Sequence, residues 1–314
     1  MRKPLGVIMD PIDEINPKKD TTLALLLAVQ QRQWPILYME AYDLFCVNDK
    51  PYARMRQLKV KDDTKNWFTW GKEKIAPLES LSVILMRKDP PIDMHYIYIT
   101  QLLDKVEQQG VLIVNHPQSL RDFNEKLFTL DFPECYPPTL VTSTVHTARE
   151  FLQKYQDIIA KPLNGMGGRS VFRLRAGDPN NNVIFETLTA NNQAYMMVQR
   201  YIPEVRDGDK RIILINGKPV PYALARFAPP GETRANLAVG GKGQVLKLTE
   251  RECWICEQVG PRLREKGLLF VGLDIIGDYL TEINITSPTG VREIDAHCDL
   301  NIGAQFIDII LPKV

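Results

Sequence analysis

The stretch Leu268–Glu293 constrains this chain more than any other, because it sets hard oxygen ligands inside two apolar runs. The runs, Leu268–Ile276 and Tyr279–Ile285, flank Gly277-Asp278, the punctuation of a β-hairpin. Asp274 lies near the end of the first strand, and Glu282 and Asn284 lie in the second. Alternate residues of a strand share a face, so Glu282 and Asn284 project together while Ile283 and Ile285 face away. A loop of about three residues sets Asp274 opposite Glu282, whereas a two-residue loop shifts the pairing by one. Two carboxylates and an amide on one sheet face suit Mg²⁺, above all where substrate phosphates complete the shell.

The plainer alternative is an amphipathic hairpin whose polar face meets water. Against it stands the continuation Asn284-Ile-Thr-Ser-Pro-Thr-Gly, with Arg292 soon after. Its hydroxyls and backbone N–H groups are able to receive a substrate carboxylate.

A chain of 314 residues has room for two or three domains and ample core. Its net charge of +1 gives no case for nucleic-acid binding. The N-terminal apolar run is too short for a signal peptide and no stretch approaches a membrane span, so a cytoplasmic setting is expected. The five cysteines are odd in number and scattered. Cys253-Trp-Ile-Cys256 sits in what reads as a helix start with no matching zinc ligands, so buried helix thiols in a reducing compartment are expected.

In order along the chain, strand 5–9 ends at Asp10-Pro11, Asp20-Thr21-Thr22 caps a helix to about Gln31, and Ile36–Met39 is a strand. This β-α-β order begins an open parallel sheet, whose ligands bind at the carboxyl ends of strands. Asp10 and Arg87, at two such ends, are cleft candidates, although Arg87 fits a strand-end ion pair with Asp89 equally well. Residues 42–80 read as a polar stretch with Trp67, Phe68 and Trp70 packing a surface hairpin or loop. Lys126, early in a helical stretch, opposes the helix dipole unless it is solvated or faces an anion. A second unit begins near residue 123. In it the strand ending at Lys161 leads into Asn164-Gly-Met-Gly-Gly-Arg-Ser170 and on to strand 171–174. The glycines match neither the P-loop nor the dinucleotide fingerprint. Between antiparallel strands they make a flap whose N–H groups can cover phosphates. Arg211 and Arg226 flank two strands joined by Asn216-Gly217, a type I′ turn signal, and their guanidinium forks suit carboxylate or phosphate. Residues 227–243 are long and glycine-rich, as lids are.

Six segments in order resemble the ATP-grasp superfamily and, within it, bacterial glutathione synthetases. They are Ile84–Pro91, Asn115–Lys126, Lys161–Gly168, Asp207–Arg211, Gly231–Gly241 and Gly272–Thr289. The resemblance implies an α/β (α+β) ATP-grasp fold with an N-terminal open parallel α/β domain. It implies that residues 1–122 contribute to substrate binding, 123–203 form the central lid subdomain, and 204–314 carry the metal and substrate sites. It also implies ATP-dependent ligation of γ-glutamylcysteine and glycine through an acyl phosphate, in a cytoplasmic homotetramer. By the same resemblance Lys126 and Lys161 hold ATP phosphates under Gly165, Gly167 and Gly168. Gln199, Tyr201 and Ile202 frame the adenine and Asp209 contacts the ribose. Asp274, Glu282 and Asn284 carry two Mg²⁺, with Mn²⁺ able to substitute. Arg87, Arg211, Arg226, Ser287 and Thr289 receive the dipeptide, and Arg211, Arg226 and Arg234 act in catalysis. Arg169, Arg200 and the segment from His297 depart from the expected pattern without touching the phosphate set. Two rival readings are another ATP-grasp carboxylate–amine ligase and an inactive nucleotide-binding regulator.

Overall fold

The computed structural model of the chain describes residues 2–227 and 242–313. Strands Leu5–Met9, Ile36–Met39, Val83–Arg87 and Leu112–Val114 pair in parallel. The apolar run Leu5–Met9 is buried throughout, as a strand covered on both faces must be. Leu5, Val7 and Met9 enter one core while Ile8 enters another, which is the period-two alternation of a strand. Helix Thr21–Gln31 covers the first face, its N-terminus capped by Asp20, whose carboxylate accepts from the Leu23 N–H at 2.6 Å. Helix Met94–Glu107 covers the second. Residues 42–80 contain more regular structure than a surface loop. Leu44–Val47, Lys50–Val60 and Phe68–Pro77 extend the sheet to seven strands by antiparallel pairing. Trp67 anchors them, its indole donating to the Ile12 carbonyl at 2.8 Å.

The middle of the chain is a four-stranded antiparallel sheet in the order Phe172–Arg175, Asp157–Pro162, Met196–Arg200, Thr139–Thr142. Helices Val145–Tyr155 and Asn181–Leu188 pack on it around a core of their own. A five-stranded antiparallel sheet follows, in the order Lys242–Lys247, Lys218–Phe227, Asp209–Ile215, Phe270–Ile276, Tyr279–Asn284. Asn216 and Gly217 both take positive φ (49° and 70°), as the type I′ turn requires. Helix Glu250–Glu265 shares a core with one face of the N-terminal sheet, and Val291–Cys298 and Ile302–Ile310 share one with the other. The N-terminal and five-stranded sheets are thus welded through two common cores. The four-stranded unit has a separate core, which is the construction of a subdomain able to move as a body.

Candidate active site

The hairpin Phe270–Ile276 and Tyr279–Asn284 pairs Asp274 with Glu282 and Gly272 with Asn284. Its turn nevertheless has two residues, since Ile276 pairs with Tyr279. The two facts coexist because the register slips between Asp274 and Ile275, leaving Thr281 as the extra residue. The Thr281 hydroxyl closes the bulge by donating to the Asp274 carbonyl at 3.1 Å. Ile283 and Ile285 are buried, and Glu282 and Asn284 line a cleft between the four- and five-stranded sheets.

Asp274 is held by Arg211, through Nε to Oδ1 at 2.5 Å and Nη2 to Oδ2 at 2.9 Å. Arg226 adds a contact to Oδ1 at 3.0 Å, and the Asn284 amide donates to Oδ2 at 3.2 Å. Four donors therefore occupy the roughly four acceptor positions of one carboxylate. Burial by itself would raise the Asp274 pKa, but the two guanidinium groups prevail and hold it well below the usual carboxylate range. Gly272 makes the clamp possible, since a Cβ there would stand 2.9 Å from both Arg211 Cδ and Pro288 Cβ. Glu282 Oε1 lies 3.4 Å from Lys161 Nζ and 3.6 Å from Lys126 Nζ. Burial opposes its ionisation, yet the lysines bring its pKa below the ordinary value. Lys161 shows the converse: burial lowers its pKa, and Glu282 opposes that shift.

The glycine-rich loop joins strands Asp157–Pro162 and Phe172–Arg175. Gly167 and Gly168 line the cleft in left-handed conformations (φ 65° and 75°). The Gly165 carbonyl accepts from Lys126 Nζ at 2.7 Å, so the lysine bridges the loop and Glu282. Lys126 stands at the head of a 3₁₀ turn, Leu127–Asp131, and its side chain faces an anion rather than solvent. Gln199, Tyr201 and Ile202 line the far wall with apolar Ile159, Val171 and Ile276. Asp209 accepts from Arg226 Nη2 at 2.6 Å, and its buried Oδ1 has no hydrogen-bond partner among the described residues. Burial pushes the Asp209 carboxyl up to about 6. That orphaned oxygen is suited to a hydroxyl donor such as a ribose.

Other expected residues sit elsewhere. Arg87 does not line the cleft; it is buried, donating to Thr22 Oγ1 and to the Pro288 carbonyl, each at 3.1 Å. It therefore holds the segment that carries Ser287 and Thr289, neither of which lines the cleft. The Thr289 carbonyl accepts from Arg211 Nη1 at 3.3 Å. Asp10 pairs with Lys88 instead of facing the cleft. Arg234 lies outside the described residues, as does most of segment 227–243. Two charged residues of the cleft were not among the expected site residues. Arg200 lines the wall and donates to the Tyr279 hydroxyl at 2.9 Å. Glu125 lines it beside Lys126, and the only sequence signal for it was its place inside the Asn115–Lys126 segment.

Among the described residues no three His, Cys, Asp or Glu side chains cluster as a metal site. The donor set Asp274, Glu282 and Asn284 supplies hard oxygens alone, which fits a Mg²⁺-type cation once Arg211 and Arg226 release Asp274 and phosphates complete the shell. No helix among the described residues is long and apolar enough to cross a membrane.

Two family models match the chain: the prokaryotic glutathione synthetase N-terminal domain over residues 4–121 and its ATP-grasp domain over residues 125–299. A glutathione synthetase of Pseudomonas putida is 58% identical over 310 residues, covering 99% of this chain and 98% of that protein. The glutathione synthetase of Escherichia coli K12 is 53% identical over 306 residues, covering 98% and 97%. Among solved structures, D-cycloserine synthetase DcsG superposes with a TM-score of 0.69 at 11% identity, covering 98% of this chain and 99% of that one. The ATP-grasp ligase PsnB does so with a TM-score of 0.66 at 16% identity over the whole of both chains. At such identities these two speak for the fold alone. The full-length identity and the two family models together establish that the chain belongs to the prokaryotic glutathione synthetases, ATP-dependent ligases of the ATP-grasp fold.

Proposed function

We propose that the cleft joins γ-L-glutamyl-L-cysteine to glycine through an acyl phosphate, releasing glutathione, ADP and phosphate. One observation carries this reading. Two carboxylates and an amide meet four cationic side chains (Lys126, Lys161, Arg211, Arg226) beside a glycine-rich loop. The cysteinyl carboxylate is a poor electrophile, and transfer of the γ-phosphate to it creates a leaving group. Lys126 and Lys161, with the loop of Gly165, Gly167 and Gly168, would hold the phosphates and offset the charge that develops there. Gln199, Tyr201 and Ile202 would frame the adenine, and Asp209 the ribose. Asp274, Glu282 and Asn284 would hold two Mg²⁺, which when bound supply charge neutralisation along the phosphates. Arg211 and Arg226 would turn toward the substrate carboxylate and then toward the tetrahedral oxyanion left by amine attack. Ser287 and Thr289 would receive the dipeptide on a segment that Arg87 holds in place. The separate core of the four-stranded unit suits closure over a water-sensitive acyl phosphate. Free thiols at all five cysteines suit the cytoplasm, and a homotetramer is the assembly we propose.

The test is release of ADP with Mg-ATP, γ-glutamylcysteine and glycine, each omitted in turn. ADP that needs all three and equals the glutathione formed supports the reading. ADP release independent of the dipeptide would refute it.

A further inference from the structure

Four carboxylates line the cleft: Glu125, Asp209, Asp274 and Glu282. Three of them are paired to cations, Asp209 to Arg226, Asp274 to Arg211 and Arg226, and Glu282 to Lys126 and Lys161. Glu125 forms no ion pair among the described residues. Its Oε1 accepts from the Thr286 hydroxyl at 3.2 Å, and its backbone carbonyl accepts from the Ile283 N–H at 2.8 Å. The backbone bond pins it against the strand that carries Glu282 and Asn284. The side-chain bond sets it against the Thr286–Thr289 segment, on the substrate side of the cleft. Burial first, and then the charge of Glu282, push its carboxyl up to about 7. A carboxylate in that setting gains from any cation that reaches it.

The proposed reaction brings two cationic groups of one chemistry, the amine of glycine and the α-ammonium of the γ-glutamyl residue. Everything else on the substrates is anionic or neutral and has the lysines, the arginines and the loop to meet it. We infer that Glu125 receives an ammonium group of an amino-acid substrate and thereby selects for it, a role that rests on the ligase reading above. Substrate binding would complete the charge pairing of the cleft.

The experiment compares wild type with Glu125→Gln, which keeps an acceptor for Thr286 and loses the charge. Michaelis constants are measured for glycine, γ-glutamylcysteine and ATP, together with half-saturation by Mg²⁺. A buried charge-assisted hydrogen bond predicts a ten- to hundredfold rise for one amino-acid substrate, with ATP and Mg²⁺ within about twofold. A rise for glycine assigns its amine to Glu125. A rise for the dipeptide assigns the γ-glutamyl ammonium; N-glutaryl-cysteine, which lacks that group, should then be a comparably poor substrate for both proteins. Constants all within twofold would overturn the inference. A change confined to ATP or Mg²⁺ would also overturn it and place Glu125 with the metal ligands. Melting curves establish that the variant is folded. Should it fold poorly, Glu125→Asp withdraws the charge by one methylene and must raise the same constant. Failure of the wild type to form glutathione would sink the ligase reading itself, whereas unchanged constants in an active enzyme sink only the role of Glu125.

Discussion

Glu282→Gln separates two consequences of one side chain, because Glu282 is both a metal-ligand candidate and the counter-ion of two covered lysines. The Lys126 and Lys161 side chains are 3% and 6% exposed, while Glu282 keeps 25% of its surface open to the cleft. Removing one partner of a fully buried ion pair costs about 3–5 kcal/mol. The opening at Glu282 places this case at the low end, about 3 kcal/mol, or roughly 5 °C in melting temperature for a chain of this length. ATP without metal should restore much of that loss, since its phosphates give the lysines new counter-ions. Turnover should fall by about a hundredfold or more even where the protein is folded. Scanning fluorimetry with and without metal-free ATP, alongside ADP release, reads both effects. A variant that melts with wild type, gains no extra stabilisation from ATP and turns over normally would exclude both roles of Glu282.

Three further outcomes follow from the same structure. Asn115 donates to the Phe270 and Ile285 carbonyls (2.8 and 2.6 Å) and accepts from the Phe270 N–H (3.0 Å), so Asn115→Ala strands three buried backbone groups. It should lower stability by about 3 kcal/mol in denaturant titration, with kcat of the folded fraction within about twofold. Arg87→Met removes the bonds to Thr22 and Pro288 and should raise the Michaelis constant for γ-glutamylcysteine about tenfold while leaving that for ATP unchanged. Burial pushes Asp295 up to about 6 from an ordinary 3.8. Its ionisation therefore works against the fold: stability linked to the neutral form is complete below about pH 4 and is lost as pH rises through about 6. Asp295→Asn, which keeps an acceptor for the Ile302 N–H, should stabilise by about 1 kcal/mol at pH 7.5, after discounting for partial exposure, and by nothing at pH 4. Equal melting temperatures of variant and wild type at pH 7.5 would count against it.

Which parts of this architecture could be read from the chain depended on whether the deciding contact was local. The apolar runs 5–9, 36–39 and 83–87 announced their strands because burial on both faces leaves a continuous hydrophobic signature. Asn216-Gly217 announced its turn because two successive positive φ angles demand such residues. The face shared by Glu282 and Asn284 followed from strand alternation alone. Their register against Asp274 did not, since turn length and ligand pairing pointed to different answers. The bulge at Thr281 reconciles them, and a bulge closed by a threonine hydroxyl has no distinctive sequence pattern. Helix Asn181–Leu188 was hidden because its opening asparagines look like turn residues; the core beneath the four-stranded sheet overrides them. Glu125 reads as one more charge in a polar segment, and the groups that enclose it, Ile283 and Thr286, lie some 160 residues away. At Arg87 the strand-end position suggested a substrate contact or an ion pair with Asp89, and neither pattern announces the bonds that its guanidinium makes to Thr22 and the Pro288 carbonyl.

In the reaction proposed above, the cysteinyl carboxylate is phosphorylated before the peptide bond forms. γ-Glutamylcysteine carrying ¹⁸O in that carboxylate, turned over with Mg-ATP and glycine, tests it by mass analysis of the released phosphate. One ¹⁸O is expected in each phosphate, passed from the carboxylate through the acyl phosphate. Phosphate free of label, formed in step with glutathione, would contradict it.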